Sequence, residues 1–378
     1  MVEAEIIHGR AILGRLRADW DRLMAQGNHE PSVSFEWTAA LMESHVQESD
    51  SLATIILKRG GAVMGIMPLV LRPMKKFGHR LIAAFPVSEL SNTHSDVLLE
   101  EFSEPVLAAV VDTLYRPDLG WDVFSMTRLL EARPLGGLLC ELVRRRRSRY
   151  ECARVQPSFF LTLDGTFDAY LRRRSGSFRN ALKRIERKLM SRGRVEIRAQ
   201  DDFPGIEEAY DTLLSIEHRS WKQAHGTSIS AVSRQTTFYR RLCTVASQKG
   251  WLHLRFLYLD GRPVAYNLGL ILNDTYFYLK TSYDYAERPL SPATLLRAKL
   301  LEELIGRGVK QFDFPGEPYE WERQWTDEMR WHQALVLYAP SARGIAYSLY
   351  RRVKAVVRGD RGGQLEYVNP RDLKPGLP

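Results

Sequence analysis

The 378-residue chain is too long for one compact core, so its length indicates two domains or three. Hydrophobic residues make up 44% and charged residues 26%, the composition of an ordinary soluble globular protein. The net charge of +9 favours an anionic partner, which is a phosphate-bearing cofactor, a nucleic acid or an acidic membrane surface. A basic surface that serves only solubility explains the same charge.

The three cysteines, Cys140, Cys152 and Cys243, have neither the number nor the spacing of a zinc site or a disulfide framework. A reducing cytosol is therefore the expected compartment, with the surface of the inner membrane as the alternative. The N-terminal segment carries early acidic residues and no long apolar core, so no signal peptide is expected. The sequence has no HExxH, GxGxxG, P-loop or GxSxG motif, and we expect no metal.

Two similar hairpins, separated by about 200 residues, organise the chain in sequence order. The first spans 51–71 and turns at Gly60-Gly61, and the second spans 251–272 and turns at Asp260-Gly261. The helices and strands predicted around the first are 12–24, 37–45, 104–115 and 121–127, and helices 167–192 and 206–221 precede the second. We predict a duplicated α/β (α+β) domain, in which each copy is a mixed, mainly antiparallel sheet flanked by helices. Chance similarity between two common hairpins is the alternative.

The second half is predicted in more detail than the first. Its elements are strands 251–259, 263–272 and 275–282, helix 292–305, and strands 310–314 and 331–339. The predicted domains are 1–150 and 151–340, followed by a tail at 341–378. The tail has Ile345, Leu349, Val353 and Val356 at helical spacing, with basic residues mostly off that stripe. It reads as a basic amphipathic helix that either docks on its own domain or contacts anionic lipid.

The junction between the strand ending at 282 and the helix starting at 292 is the strongest local signal. Ser291 is a strong N-cap residue, and Pro292 suits the first helical position because its missing N–H costs nothing there. Four backbone N–H groups are candidate anion donors, those of Leu290, Ser291, Ala293 and Thr294. Arg288 adds charge-assisted bonds, and together these groups suit the diphosphate of coenzyme A.

The run Arg288-x-x-Ser291-x-Ala293 resembles the Q/R-x-x-G-x-G/A turn of the GNAT acyltransferases, with serine where that family has glycine. Over about 30–340 the chain looks like the CelD/BcsL-type (FemABX-like) proteins, which carry two GNAT-like halves. The stretches that carry this resemblance are SFEWTAALMESH, EHRSW, SYDYAERPLSPATLL and KQFDFPGEPYEWERQW. Where that family has Tyr-Lys before the tryptophan, this chain has Tyr319-Glu320. The resemblance implies two tandem GNAT-like domains, of which the second, 151–340, is an acyl-CoA-dependent N-acyltransferase.

This chemistry requires a base to deprotonate the amine, an acid for the departing thiolate and a fixed N–H for the thioester oxygen. Asp284 is the first candidate base, Tyr283 the candidate acid and His218 a second base. The acceptor is expected to contact Trp221, Lys280, Asp313, Glu317 and Tyr319, and His94 and Asp96 are candidate contacts in the first half. Each of these residues also has a structural explanation, such as turn capping or core packing.

The resemblance implies an amine acceptor from bacterial envelope synthesis, either the long-chain base of a lipid, as in ceramide synthases, or an amino sugar of an exopolysaccharide. The cofactor is acyl-CoA. The basic stretches at 144–149 and 172–194 either form solvent-exposed helix faces or bind phosphate groups. Two other functions stay open, a FemABX-like aminoacyltransferase that uses aminoacyl-tRNA and a non-catalytic scaffold. Nucleic acid is the less favoured partner, and peripheral contact with an anionic membrane is an alternative.

Overall fold

The computed structural model describes residues 1–76, 79–91, 93–146, 148–316 and 318–357. The chain forms two compact units. The first comprises residues 1–157 together with the described residues from Arg330 onwards, and the second comprises Ser158–Met329. The strand and helix at 329–357, which the sequence analysis divided between the second domain and the tail, thus group almost entirely with the first unit.

The first unit is a sheet with helices. Its strands are β1 Glu3–His8, β2 Ser51–Arg59, β3 Ala62–Lys76, β4 His79–Pro86, β5 Leu98–Leu99, β6 Val123–Leu130, the first part of β7 Arg149–Thr162, and β13 Met329–Tyr338. Its helices are α1 Ala11–Arg15, α2 Arg17–Gln26, α3 Phe35–Ser44, α4 Glu104–Leu114, α5 Pro134–Arg145 and α12 Ala342–Val357. The strand order is β1-β2-β3-β4-β6-β13-β7, and β5 pairs with β3.

Local chemistry explains the first hairpin. Gly60 and Gly61 both have positive φ, the conformation that a tight two-residue turn requires and that glycine adopts without a steric cost. Most residues of the β2 and β3 strands that flank the turn are buried. Helices α4 and α5 contribute Leu107 and Leu139 to the same apolar core. The sequence therefore specifies both the hairpin and the faces that it buries.

Two cysteines of the first unit differ from the sequence prediction. Cys140 in α5 and Cys152 in β7 form a disulfide, with their Cα atoms 6.3 Å apart. Their spacing of 12 residues gave no sign of this, because the approach of helix to strand is a property of the fold. Disulfides persist in oxidising compartments and are usually transient in a reducing cytosol. Cys243 is free and buried.

Helix α12 packs only in part through the stripe that its sequence suggested, as far as its described side chains show. It buries Tyr347 and Ser348, and Arg351 reaches Glu151 at 2.8 Å. Leu349 and Val353, two members of the predicted stripe, are 49% and 61% exposed. Hydrophobic spacing located the helix correctly, but Tyr347, Ser348 and Arg351 make the contacts rather than Leu349 and Val353.

The second unit contains the remaining elements. Its strands are the last part of β7, β8 Val195–Ala199, β9 Leu252–Leu259, β10 Arg262–Leu272, β11 Thr275–Tyr283 and β12 Gln311–Asp313. Its helices are α6 Phe167–Arg173, α7 Gly176–Arg192, α8 Ile206–His218, α9 Trp221–Ala224, α10 Ser233–Gln248 and α11 Pro292–Gly306. Residues 160–162 pair with β12, and the order continues β12-β11-β10-β9-β8.

Strands β9, β10 and β11 form the predicted antiparallel meander. Asp260 and Gly261 both have positive φ at the first turn. Strand β12 then pairs with β11 in parallel, as the connection through α11 requires. Gly269 in β10 leaves room for the Tyr276 ring, which a Cβ at this position would overlap.

The two units repeat one plan, which confirms the predicted fold class. In the first, the antiparallel strands β2, β3 and β4 lead through α4 to β6, which is parallel to β4. In the second, β9, β10 and β11 lead through α11 to β12, which is parallel to β11. Within the described residues, no helix has the length and apolar character needed to cross a membrane.

Candidate active site

Strands β11 and β12 separate soon after they pair. Their parallel ladder has three pairs, from Thr275 with Gln311 to Phe277 with Asp313, where β12 ends. Strand β11 continues to Tyr283. We call residues 278–283 of β11 the open edge. At its start the β10–β11 register shifts, and Leu279 is a bulged residue without a partner on β10.

The register shows which backbone groups face this edge. The Asp284 N–H donates to the Val264 carbonyl at 2.8 Å, so Asp284 faces β10. Backbone groups alternate in direction along an antiparallel strand, so those of Ser282 also face β10, whereas those of Thr281 and Tyr283 face the side that β12 has left. The open edge therefore offers strand-type donors and acceptors to an extended ligand.

Residues 217–222, at the end of α8 and the start of α9, lie along this edge. The Tyr285 N–H donates to the Arg219 carbonyl at 3.0 Å, and Lys222 Nζ donates to the Thr281 carbonyl at 2.5 Å. The sequence motif EHRSW thus reaches the site. Its Glu217 is buried, whereas the candidate base His218 is exposed to solvent.

Trp221, a candidate substrate contact in the same segment, is 41% exposed, and its ring lies 5.4 Å from that of His225. An indole that is partly exposed is available to a ligand. Of the predicted site residues in this segment, Trp221 is partly exposed and packs on His225, and His218 is exposed to solvent.

Asp284, the first candidate base, is buried and holds the turn together. Its carboxylate accepts from Arg219 Nε at 2.7 Å, from an Arg262 guanidinium nitrogen at 2.6 Å, and from the Ala286 N–H at 3.1 Å. These donors occupy both carboxylate oxygens. Such partners favour a positioning role for Asp284 over proton transfer.

A short 3-10 helix, Tyr285–Leu290, connects β11 to α11. Arg288 is exposed and its guanidinium lies against Tyr285. The N–H groups of Ser291 and Thr294 are engaged within the turn, donating to the carbonyls of Arg288 and Ser291. Leu290 and Ala293 are buried, and Ala293 lies in the first turn of α11, where N–H groups lack partners within the helix.

Ser291 occupies the N-cap position, but its side chain makes no cap hydrogen bond. Its backbone is left-handed, with φ 51° and ψ 49°. Glycine reaches this conformation freely, whereas any residue with a Cβ is strained there by about 1–2 kcal/mol. The turn therefore keeps a backbone shape that favours glycine although the residue is serine.

Replacing this serine tests whether the turn carries strain. Ser291→Gly should raise the free energy of unfolding by about 0.5–1 kcal/mol, since relief of strain exceeds the extra entropy that glycine has in the unfolded chain. Chemical denaturation measures this change. Ser291→Ala is the matched control and should bring no gain. A glycine variant no more stable than the alanine variant would contradict this account of the turn.

A second group of side chains, which the sequence analysis missed, lies where β12 ends. Arg297 of α11 is 5% exposed, donates to the Tyr278 hydroxyl at 2.9 Å and stacks on Trp321 at 3.9 Å. Glu322 is 4% exposed and accepts the Tyr319 N–H at 3.0 Å. Burial raises the pKa of Glu322 to about 7, against the opposing effects of the Tyr319 N–H and Arg297. A buried carboxyl that titrates near neutrality is suited to proton transfer.

The remaining candidates of the second unit have varied surroundings. Lys280 lies over the Tyr239 ring at 5.5 Å, and Tyr283 packs beside the apolar core of α11. Asp313 is buried at the end of β12, where its charge helps to raise the pKa of Glu322. Tyr319 is 58% exposed and stacks on Trp321. Glu317 lies outside the described residues.

His94 and Asp96 belong to the first unit and lie in a buried polar cluster. The His94 ring lies 5.2 Å from that of His332 and 3.5 Å from a Glu30 oxygen. Arg133 contacts both Glu30 and Asp96. Burial raises the pKa of Asp96 to about 6, although Arg133 opposes it.

Comparison with known proteins agrees with this geometry. Residues 176–323 match the family model described as an acetyltransferase (GNAT) domain. This segment is therefore similar to GNAT acetyltransferase domains. It contains α8, the meander, the open edge, α11 and Glu322. Its strand-to-helix turn carries Arg288, Ser291 and Ala293. A search of curated proteins finds no significant match.

Solved structures share the fold at low sequence identity. FemX is 11% identical with a TM-score of 0.62, covering 91% of this chain and 99% of its own. The C-terminal domain of a proposed lysylphosphatidylglycerol synthetase from Agrobacterium fabrum is 11% identical, with a TM-score of 0.52 and coverage of 91% and 97%. A Bacteroides thetaiotaomicron protein of unknown function is 12% identical, with a TM-score of 0.53 and coverage of 88% and 100%. The likeness extends over both units and concerns the fold.

Proposed function

We propose that the protein is an acyl-CoA-dependent N-acyltransferase, with its site at the open edge of the GNAT domain. One observation carries this proposal, namely that β12 leaves β11 after three pairs while β11 continues. An acyl-pantetheine arm has amides that pair with such an edge as a strand does, and this places a thioester near the bulge at Leu279.

Residue roles follow from the surroundings of each side chain. Arg288 and the first turn of α11 bind the diphosphate, because cationic and N–H donors meet there. Glu322 takes the proton of the acceptor amine. Asp284, held by Arg219 and Arg262, fixes the turn that carries Arg288. Trp221 and Tyr319, both substantially exposed, contact the acceptor.

The acceptor is an amine of bacterial envelope synthesis, either a long-chain base or an amino sugar. Exposed Leu349 and Val353 on α12 support a lipid acceptor. The exposed Arg352 next to them adds positive charge, which suits peripheral contact with an anionic membrane. The CelD/BcsL-type assignment belongs to this proposal, as does a location at the inner surface of the membrane.

Ligand-dependent stability tests the cofactor. Acyl-CoA at about 100 times its dissociation constant should stabilise the protein by about 2.7 kcal/mol. Arg288→Ala should weaken acyl-CoA binding by about tenfold or more, because one charge-assisted hydrogen bond is lost. Arg194→Ala is the matched control, since Arg194 is an exposed arginine whose guanidinium pairs with Glu196. Titration of both variants by thermal shift or calorimetry measures the difference.

The outcomes separate the candidate functions. Stabilisation by acyl-CoA, together with thiol release when an amine is added, supports the N-acyltransferase. Equal affinities of both arginine variants would contradict the diphosphate site but leave the function standing. A protein that no acyl-CoA stabilises is not this enzyme, and one that binds no tRNA either is a scaffold.

A FemABX-like aminoacyltransferase is the second candidate, favoured by the basic surface of α7. The exposed basic residues of that helix are Lys183, Arg184, Arg187, Lys188 and Arg192. Phosphates of aminoacyl-tRNA suit such a face, and binding should then weaken steeply as salt is raised. Stabilisation by tRNA without any response to acyl-CoA favours this function over the first.

A further inference from the structure

A lysine amine lies at the open edge of the GNAT domain. Lys222 Nζ donates to the Thr281 carbonyl at 2.5 Å, and that carbonyl faces the side that β12 has left. The Lys222 side chain is 20% exposed, so part of it is open to solvent while its amine contacts the Thr281 carbonyl. A primary amine is therefore already present beside the backbone that a bound acyl-pantetheine would contact.

A buried carboxylate stands next to this amine. Glu217 Oε1 lies 3.6 Å from Lys222 Nζ and also accepts the Tyr266 hydroxyl at 2.6 Å. The other carboxylate oxygen accepts the Ile229 N–H at 2.8 Å. These two donors hold the carboxylate in place whether or not Lys222 is charged. Glu217 is thus a fixed proton acceptor within reach of the amine.

The surroundings of Lys222 differ from those of an ordinary surface lysine. Burial lowers the pKa of Lys222, against the opposing effect of Glu217. Lys299 on α11 is also subject to burial, yet Glu186 and Glu302 raise its pKa overall. Lys222 therefore loses its proton more readily than Lys299, and only the neutral amine is a nucleophile.

We propose that Lys222 is a self-acylation site that takes the acyl group of a bound acyl-CoA. The inference rests on the proposed function, because the donor is its thioester. Glu217 accepts a proton from Lys222 Nζ, and the nitrogen lone pair attacks the thioester carbonyl carbon. A C–N bond forms as the C–S bond breaks, and the departing coenzyme A thiolate takes up the second proton that the acylated nitrogen loses. No oxidant, reductant or further co-reactant is needed.

The product would change the site. An acylated Lys222 is neutral, so Glu217 loses its cationic neighbour and keeps Tyr266 and Ile229 as donors. The amide N–H can still donate to the Thr281 carbonyl, and the acyl chain then lies beside the open edge. Self-acylation would therefore hinder the next acyl-CoA and make the modification self-limiting at one group per chain.

Mass spectrometry tests this inference on the full-length protein. Incubation with acetyl-CoA or palmitoyl-CoA should add one acyl group per chain, which peptide mapping should locate at Lys222. Lys222→Arg should abolish the addition, because it keeps the cation and the donor but lacks a nucleophilic amine. Lys299→Arg is the matched control and should acylate as the wild type does. Glu217→Gln should acylate about 100-fold more slowly, as expected for loss of a proton acceptor.

The outcomes distinguish this inference from the proposed function. If acyl-CoA stabilises the protein but Lys222→Arg acquires the group as fast as the wild type, the inference is wrong and the function stands. The same holds if acyl-CoA binds and no group is added. If no acyl-CoA binds, both fail together. Heat-unfolded protein measures chemical acylation without a site, and equal labelling of unfolded and folded chains also overturns the proposal.

Discussion

Glu322→Gln should reduce turnover of acyl-CoA with an amine by about 100-fold, because a general base contributes about that factor or more. The amide keeps the shape and the acceptor oxygen that the Tyr319 N–H needs, but it cannot take a proton. Affinity for acyl-CoA should be largely kept, since the diphosphate is held elsewhere. Steady-state kinetics and calorimetry on the same variant measure the two effects separately.

Glu320 is the matched control for this substitution. It lies in the same short 3-10 helix, but its side chain is 92% exposed. Glu320→Gln should leave turnover unchanged. Equal losses in the two variants, or a loss in Glu322→Gln that follows weaker binding of acyl-CoA, would remove Glu322 from the reaction.

The dependence on pH gives an independent readout for Glu322. Its pKa is about 7, and only the carboxylate is a base, so kcat/KM should fall as the pH drops below about 7. Stability should change in the opposite sense. The folded-state pKa lies above the unfolded value of 4.5, so the folded protein binds the proton more tightly. The free energy of unfolding should therefore fall as pH rises from about 4.5 to about 7, and Glu322→Gln should lack this fall.

Arg297→Ala should lower the free energy of unfolding by about 3–5 kcal/mol, the largest stability effect that we expect. The guanidinium is 5% exposed, stacks on Trp321 and donates twice to the Tyr278 hydroxyl. Its removal leaves a cavity beside the rings of Trp321 and Trp325. Glu322 also loses the nearby cation that lowers its pKa. Chemical denaturation at neutral pH measures the loss.

Two further variants separate packing from charge at this position. Arg297→Lys keeps the charge but lacks the planar stack and the forked donors, so it should recover only part of the stability. Arg307→Ala is the surface control at the C-cap of the same helix, where Arg307 pairs with Glu303 and is 52% exposed. That variant should cost at most about 1 kcal/mol. A similar cost for Arg297→Ala would mean that the buried cluster contributes little.

Local signals in the sequence located most of the second unit. The Asp260-Gly261 pair specifies a tight turn because both residues adopt positive φ. The prediction of three strands over 251–282 is confirmed by β9, β10 and β11. The helix predicted at 292–305 is confirmed as Pro292–Gly306. These features depend on residues close together in the chain, so a single sequence reveals them.

Groups that lie far apart in the sequence could not be paired by such signals. Glu322 and Arg297 are 25 residues apart, and the high pKa of Glu322 comes from burial that no motif encodes. Asp284 stood out as a carboxylate at a strand end, but its arginine partners are on α8's C-terminal flank and β10. Lys222 escaped notice for the same reason, because only the fold brings it to Thr281.

The sequence by itself determined a duplicated α/β plan, the two hairpins and the strand-to-helix turn at Ser291, because period, turn chemistry and capping act over a few residues. Only the tertiary structure decided where β12 leaves β11 and that Cys140 bonds to Cys152. It also decided which carboxylate is buried and has a pKa near neutrality. Those outcomes depend on which distant groups exclude water from one another. The burial of a group and its distance from other groups are properties of the packed chain, and they set the pKa values of the reactive side chains.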